Sequence, residues 1–201
     1  MEKKWRNLLI LLVFCIVAVL LAVYLFSPDK GATFSDGVQQ IISVWGNESI
    51  NPFELTAEEI GLIDINSVSL VRQNLNLLKE SPRFQDNLAL NALADIHIAV
   101  ADVIRTNILL SEKISGADSI PDESICGSIA VFEEINSLTK YLAEKTREKN
   151  LWAKNFISAY PEYSEQSAVE KFISDESALE ASVQGSESGL QELKSSCGDS
   201  Q

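Results

Sequence analysis

Residues Leu8 to Phe26 form 19 consecutive positions without a charge, directly behind the basic head MEKKWR. A helix rises about 1.5 Å per residue, so this run matches the roughly 30 Å hydrocarbon layer of a bilayer. A cleavable signal peptide has an apolar region of only about 7–15 residues and ends in a small-x-small site. Here the run leaves through Tyr24, Leu25, Phe26, Ser27 and Pro28, which offers no such site. The expectation is an uncleaved signal anchor over residues 1–26, with the lipid bilayer as partner through residues 8–26. Cys15 does not mark a lipoprotein, because Leu12, Val13 and Phe14 precede it and the apolar run continues past it. Ala18 and Ala22 make a small-xxx-small pair through which two copies could approach, so a homo-oligomer is a candidate. Two alanines that merely fall in an apolar helix are the favoured explanation of the pair.

Lys3, Lys4 and Arg6 precede the run, whereas Asp29 and Lys30 cancel just after it. The positive-inside rule then places the N-terminus in the cytoplasm and the remainder outside, as a single-pass protein of the cell membrane. Residues 27–201 carry 13 of the 16 Lys and Arg and 28 of the 29 Asp and Glu, a formal charge of −15. A surface this acidic repels phosphates and anionic headgroups, which argues against nucleic acid or peripheral membrane partners. Solubility of an exposed domain is the favoured explanation of the charge.

The remainder reads as all-α. Residues 27–55 look like a juxtamembrane linker with a short helix bearing Val38, Ile41, Ile42 and Trp45 on one side. Asn47, in Asn47-Glu48-Ser49, is a candidate glycosylation site, although about two sequons arise by chance in such a composition. The bundle proper is expected over residues 56–184. Thr56 and Glu59 fit a capping box. Ile65, Val68, Val71, Leu75 and Leu78 then form one helical stripe, stopped by Ser81-Pro82. A second helix from Pro82 to about Ser115 carries Leu90, Leu93, His97, Val100, Ile104 and Ile108 on one seam. Ile96, Val103, Leu110 and Ile114 lie on a neighbouring seam, so burial against more than one partner is expected. A third, capped by Asp122 or Ser124, carries Ile125, Ile129, Phe132, Ile135, Leu138, Leu142, Trp152 and Phe156. Its polar stretch AEKTREKN reads as solvated, with Glu144 paired to Arg147. Pro161 closes that helix. A fourth starts near Ser164 with Val169, Phe172, Ile173, Leu179 and Val183, before the Ser/Gly-rich segment 185–201, where Gly185 and Gly189 are candidate breaks. Together these predict an N-terminal transmembrane helix followed by an antiparallel bundle of about four long helices.

Cys126 and Cys197 are the two cysteines outside the apolar run. If the third and fourth helices form a hairpin, residues equidistant from its turn meet, and these two are equidistant from Pro161-Glu162. A disulfide between them is expected, tying the C-terminal segment back. His97, the sole histidine, sits on an apolar seam. It is a candidate ligand or pH-sensing group; a core histidine that hydrogen-bonds a neighbouring helix and sets register is the favoured reading. Zinc usually needs four ligands, and two thiols with one histidine do not supply them. No phosphate loop, no His-Glu-x-x-His and no nucleophile elbow is present. The expectation is therefore no catalytic residue, no cofactor and no metal. The role expected is an envelope interaction or scaffold protein with an unknown protein partner. The alternative is an extracytoplasmic ligand-sensing or substrate-binding bundle.

Overall fold

The computed structural model describes residues 33–198. The expected membrane span, its basic head and Cys15 lie outside the described residues. Among the described residues no helix is long and apolar enough to cross a membrane.

Regular structure among the described residues is entirely helical. The α-helices are α1 Phe34–Asn47, α2 Ala57–Ile60, α3 Ile65–Lys79, α4 Pro82–Gln85, α5 Leu88–Ala117, α6 Ile129–Ala159, α7 Pro161–Ser167 and α8 Glu176–Gly198. Local chemistry sets several of their starts. Thr56 and Glu59 form the capping box, the Thr56 amide donating to Glu59 Oε2 at 2.9 Å and the Glu59 amide to Thr56 Oγ1 at 3.2 Å. Asp64 caps α3 by accepting from the Asn66 amide at 3.0 Å. The helix expected to run unbroken from Pro82 is divided, because Asn87 accepts from the Leu90 amide at 3.1 Å and caps α5 afresh. The start expected near Asp122 or Ser124 is likewise later. Two 3-10 turns, Asp122–Ser124 and Cys126–Ser128, lead into α6.

Ion pairs record the register between helices. Arg72 pairs with Asp102 at 2.7 Å and Lys79 with Asp95, so seven residues forward on α3 match seven backward on α5. Lys113 meets Glu134 at 2.7 Å, joining α5 to α6. Between α6 and α8 the pairs are Glu133–Lys194 (2.6 Å), Lys140–Glu187 (2.6 Å) and Arg147–Glu180 (3.5 Å), again stepping by seven in opposite directions. All three helix pairs are antiparallel.

The core gathers at one end. Val38, Ile41 and Trp45 of α1 meet Val71 and Leu75 of α3, Leu90, Leu93 and Ile96 of α5, and Phe156 of α6. α1 comes so close to α5 that a Cβ on Gly37 would lie 2.4 Å from Leu90 Cδ2. The segment read as a linker therefore belongs to the core from Phe34 onward, because its apolar stripe is covered on two sides. The expected fourth bundle helix differs in the opposite sense. At Ala168 the backbone turns left-handed (φ 51°), and a 3-10 turn, Val169–Phe172, drives Val169 and Phe172 into the core. A left-handed non-glycine residue costs about 1–2 kcal/mol, whereas burying a Val and a Phe yields roughly 1.5–3 kcal/mol each. Burial wins over an unbroken helix. The helix resumes as α8, runs through Gly185 and Gly189 without a break, and buries no residue. α8 thus lies along the outside of α6, and α1 fills the fourth core position.

Candidate functional site

His97 is 1% exposed. Its Nδ1 accepts from the Trp45 indole N–H at 3.0 Å, so the neutral ring carries its own proton on Nε2. Phe172 and Phe53 meet the imidazole edge-on, with ring centroids 4.9 and 6.0 Å away. Burial pushes the imidazolium down to about 3. The residue joins α5 to α1 in the manner of a register-setting core histidine. It lines neither of the two grooves described below.

Cys126 and Cys197 are joined, with Sγ atoms 2.01 Å and Cα atoms 5.4 Å apart. The bond closes the end of the α6–α8 hairpin that is remote from the core. Asn47 is the last residue of α1 and is exposed, followed by a turn in which Ser49 is left-handed (φ 58°).

The stretch AEKTREKN, expected in solvent, instead buries one face and exposes the other. Ala143, Thr146, Lys149 and Asn150 are all buried, and Arg147 pairs with Glu180 in place of Glu144. The cause lies 24 residues downstream. Asn150 Nδ2 donates to the Ser174 carbonyl and to Glu176 Oε1, both at 2.9 Å, while its Oδ1 accepts from the Ser174 amide at 3.0 Å. Lys149 donates to Ser174 Oγ at 2.7 Å, and burial lowers its ammonium to about 8 against the opposing pull of Glu176. Asp175 then caps α8 by accepting from the Ser177 amide and hydroxyl, which hold its carboxyl below the usual range. This elbow fixes where α8 begins. It sets the Ser174 hydroxyl against Lys149 Nζ and ties both into a network with the Asn150 amide and the Glu176 carboxylate.

Among the described residues, grooves open at the surface in at least two places. One, of about 260 Å³, lies between α5 and α6 and is lined by Ala92, Asp95, Trp152, Asn155, Phe156, Ala159 and Tyr160. The other, of about 350 Å³, is formed by the segment after α1, with Ile50, Leu55, Leu62 and Ile63 as apolar wall and Glu54 and Glu59 among its polar groups. No group of three or more His, Cys, Asp or Glu is placed to hold a metal among the described residues.

α3 has two faces. Val68, Val71 and Leu75 point into the core, whereas Asn66, Leu70, Gln73 and Leu77 occupy the opposite side at spacings of four, three and four. Leu70 is 46% exposed and Leu77 57%. The signal for this outer seam was present in the sequence, but the stronger inner stripe masked it. Comparison with protein-family models, curated proteins and solved structures gave no match to this chain.

Proposed function

We propose that this chain is a single-pass membrane protein, N-terminus in the cytoplasm, that displays an acidic helical bundle outside the cytoplasm as an interaction or scaffold module without catalysis. The observation carrying this reading is the solvent face of α3. In a chain of net charge −13, α3 contains no carboxylate, and its cations Arg72 and Lys79 are spent on Asp102 and Asp95. What remains outward is Leu70 and Leu77, one heptad apart, with amides between. Exposed leucines scattered singly need no explanation, but a heptad-spaced pair on an uncharged helix face suits a partner helix.

A photo-crosslinking residue placed at Leu70 or Leu77 in intact cells should give a discrete protein adduct, and one at Ser182 on exposed α8 should not. The ligand-sensing alternative would use the groove beside Trp152 and Tyr160, which has an apolar lining with Asp95 and Asn155 as polar groups. If no adduct forms at α3 while a small molecule raises Tm in a manner abolished by Trp152→Ala, the ranking reverses.

A further inference from the structure

From Gly31 to Val71 the chain has no Lys or Arg and carries six carboxylates, Asp36, Glu48, Glu54, Glu58, Glu59 and Asp64. Within this stretch the backbone folds into the groove of about 350 Å³ walled by Ile50, Leu55, Leu62 and Ile63. Leu62 stands on it 84% exposed, the largest exposure among the large apolar residues described. Two of the carboxylates are fixed in place. Glu54 Oε2 accepts from Asn51 Nδ2 at 3.1 Å, and Glu59 Oε2 accepts from the Thr56 amide and hydroxyl at 2.9 and 2.8 Å. These bonds fall on Oε2 and leave Oε1 of each carboxylate to accept from an incoming donor. The Thr56 bonds also keep Glu59 ionised by holding its carboxyl low. Lys171 approaches the same segment over the Phe53 ring, 5.8 Å from its centroid, and is not part of the groove lining.

A groove whose wall is half apolar and half polar, with anchored anions among the polar groups, is complementary to an aliphatic side chain flanked by cations. We propose that the groove between Ile50 and Ile63 docks a basic, leucine-bearing segment of a protein partner. The aliphatic group would seat against Ile50, Leu55 and Leu62, and Lys or Arg would bind the Oε1 atoms of Glu54 and Glu59. This rests on the interaction-module reading and names the chemistry of its partner.

The test uses the full chain in zwitterionic nanodiscs, to which a cationic peptide has no charge attraction. Calorimetry with Lys-Leu-Arg-Leu-Lys is compared with Lys-Ser-Arg-Ser-Lys, of equal charge and no apolar group. The leucine peptide should bind at least about tenfold more tightly, as expected when apolar burial adds to the charge contacts. A photoleucine version should label residues 49–63. Glu54→Gln retains an acceptor for Asn51, and Leu62→Ser changes a residue already in solvent, so both should fold; each should weaken the leucine peptide about three- to tenfold. Equal binding of both peptides, or labelling elsewhere, would overturn the groove assignment. If α3 crosslinks a partner while the groove fails, only this inference falls; if neither captures anything, the interaction reading falls with it.

Discussion

Around Trp45 the chain buries side chains from α1, α3, α5, α6 and the Val169–Phe172 turn, whereas α8, 23 residues long, buries none. The two regions are held by different forces. In the base, apolar area removed from water dominates, and the one buried histidine spends its acceptor on an indole. Along α8, partly covered Leu179, Val183, Leu190 and Leu193 supply a narrow seam, and the rest comes from ion pairs, the Asn150 elbow and a disulfide. The base should therefore respond to lost volume and to acid, the α8 arm to reduction and to salt.

The largest effect is expected from Trp45→Ala. Removing a fully buried aromatic commonly costs about 3–5 kcal/mol, and here it also leaves His97 Nδ1 without its donor. Urea unfolding should show the midpoint fall for the whole domain. If Leu190→Ala on α8 destabilises as much, the distinction between the two regions fails.

Next comes replacement of Cys126 and Cys197 by serine. A bridge across 71 residues stabilises by about 4 kcal/mol in the chain-entropy picture. Because α8 rests chiefly on α6 and the Cys126–Ser128 turn, the loss should be local. Hydrogen exchange should rise across α8 and residues 122–128 while the near-ultraviolet signal of Trp45 stays intact. Concerted exchange of α1 and α5 would show that arm and base fold as one unit.

Acid should act the other way round. His97 has a folded-state value of about 3 against an ordinary value near 6.5, so the unfolded chain binds the extra proton between these limits. The contribution is complete above about pH 6.5 and is lost as the pH falls toward 3, with a slope approaching 1.4 kcal/mol per pH unit. Between pH 6.5 and 5, above the range of ordinary carboxylates, the wild type should lose stability along this slope. His97→Phe should flatten it. An unchanged slope in the variant would assign the acid sensitivity to other groups.

The sequence carried what local chemistry or equal helical rise determines. The Thr56–Glu59 box follows from capping chemistry, and the α3 stripe and the α5 seam from Leu90 to Ile108 from periodicity. The meeting of Cys126 with Cys197 follows from antiparallel counting about the turn. Other features depend on distant partners and left no local trace. Asn150 is buried because Ser174 crosses it, and a window around AEKTREKN contains nothing of that crossing. Ala168 adopts a left-handed turn because Val169 and Phe172 gain more in the core than an unbroken helix would. Gly185 and Gly189 cost about 1 kcal/mol each relative to alanine, yet the tethered arm keeps them helical. The groove at Ile50–Ile63 was equally invisible, since it is built from a stretch that resembles a linker.

The smallest effect concerns the heptad ladder of Glu133–Lys194, Lys140–Glu187 and Arg147–Glu180. Each of these side chains is about half exposed, so solvent screens the pairs and each contributes only about 0.2–1 kcal/mol. Their shared seven-residue step gives them a second role, because a one-step slip of α8 would break all three together. At 1 M salt the screening length falls to about 3 Å, so exchange of α8 amides should quicken while α5 is unaffected. Lys140→Glu should reproduce that local loosening at low salt, and adding Glu187→Lys should reverse it. If the double exchange leaves α8 as loose as the single one, the leucine seam and not the ladder sets the register. The arm would then be held by the same apolar force as the base.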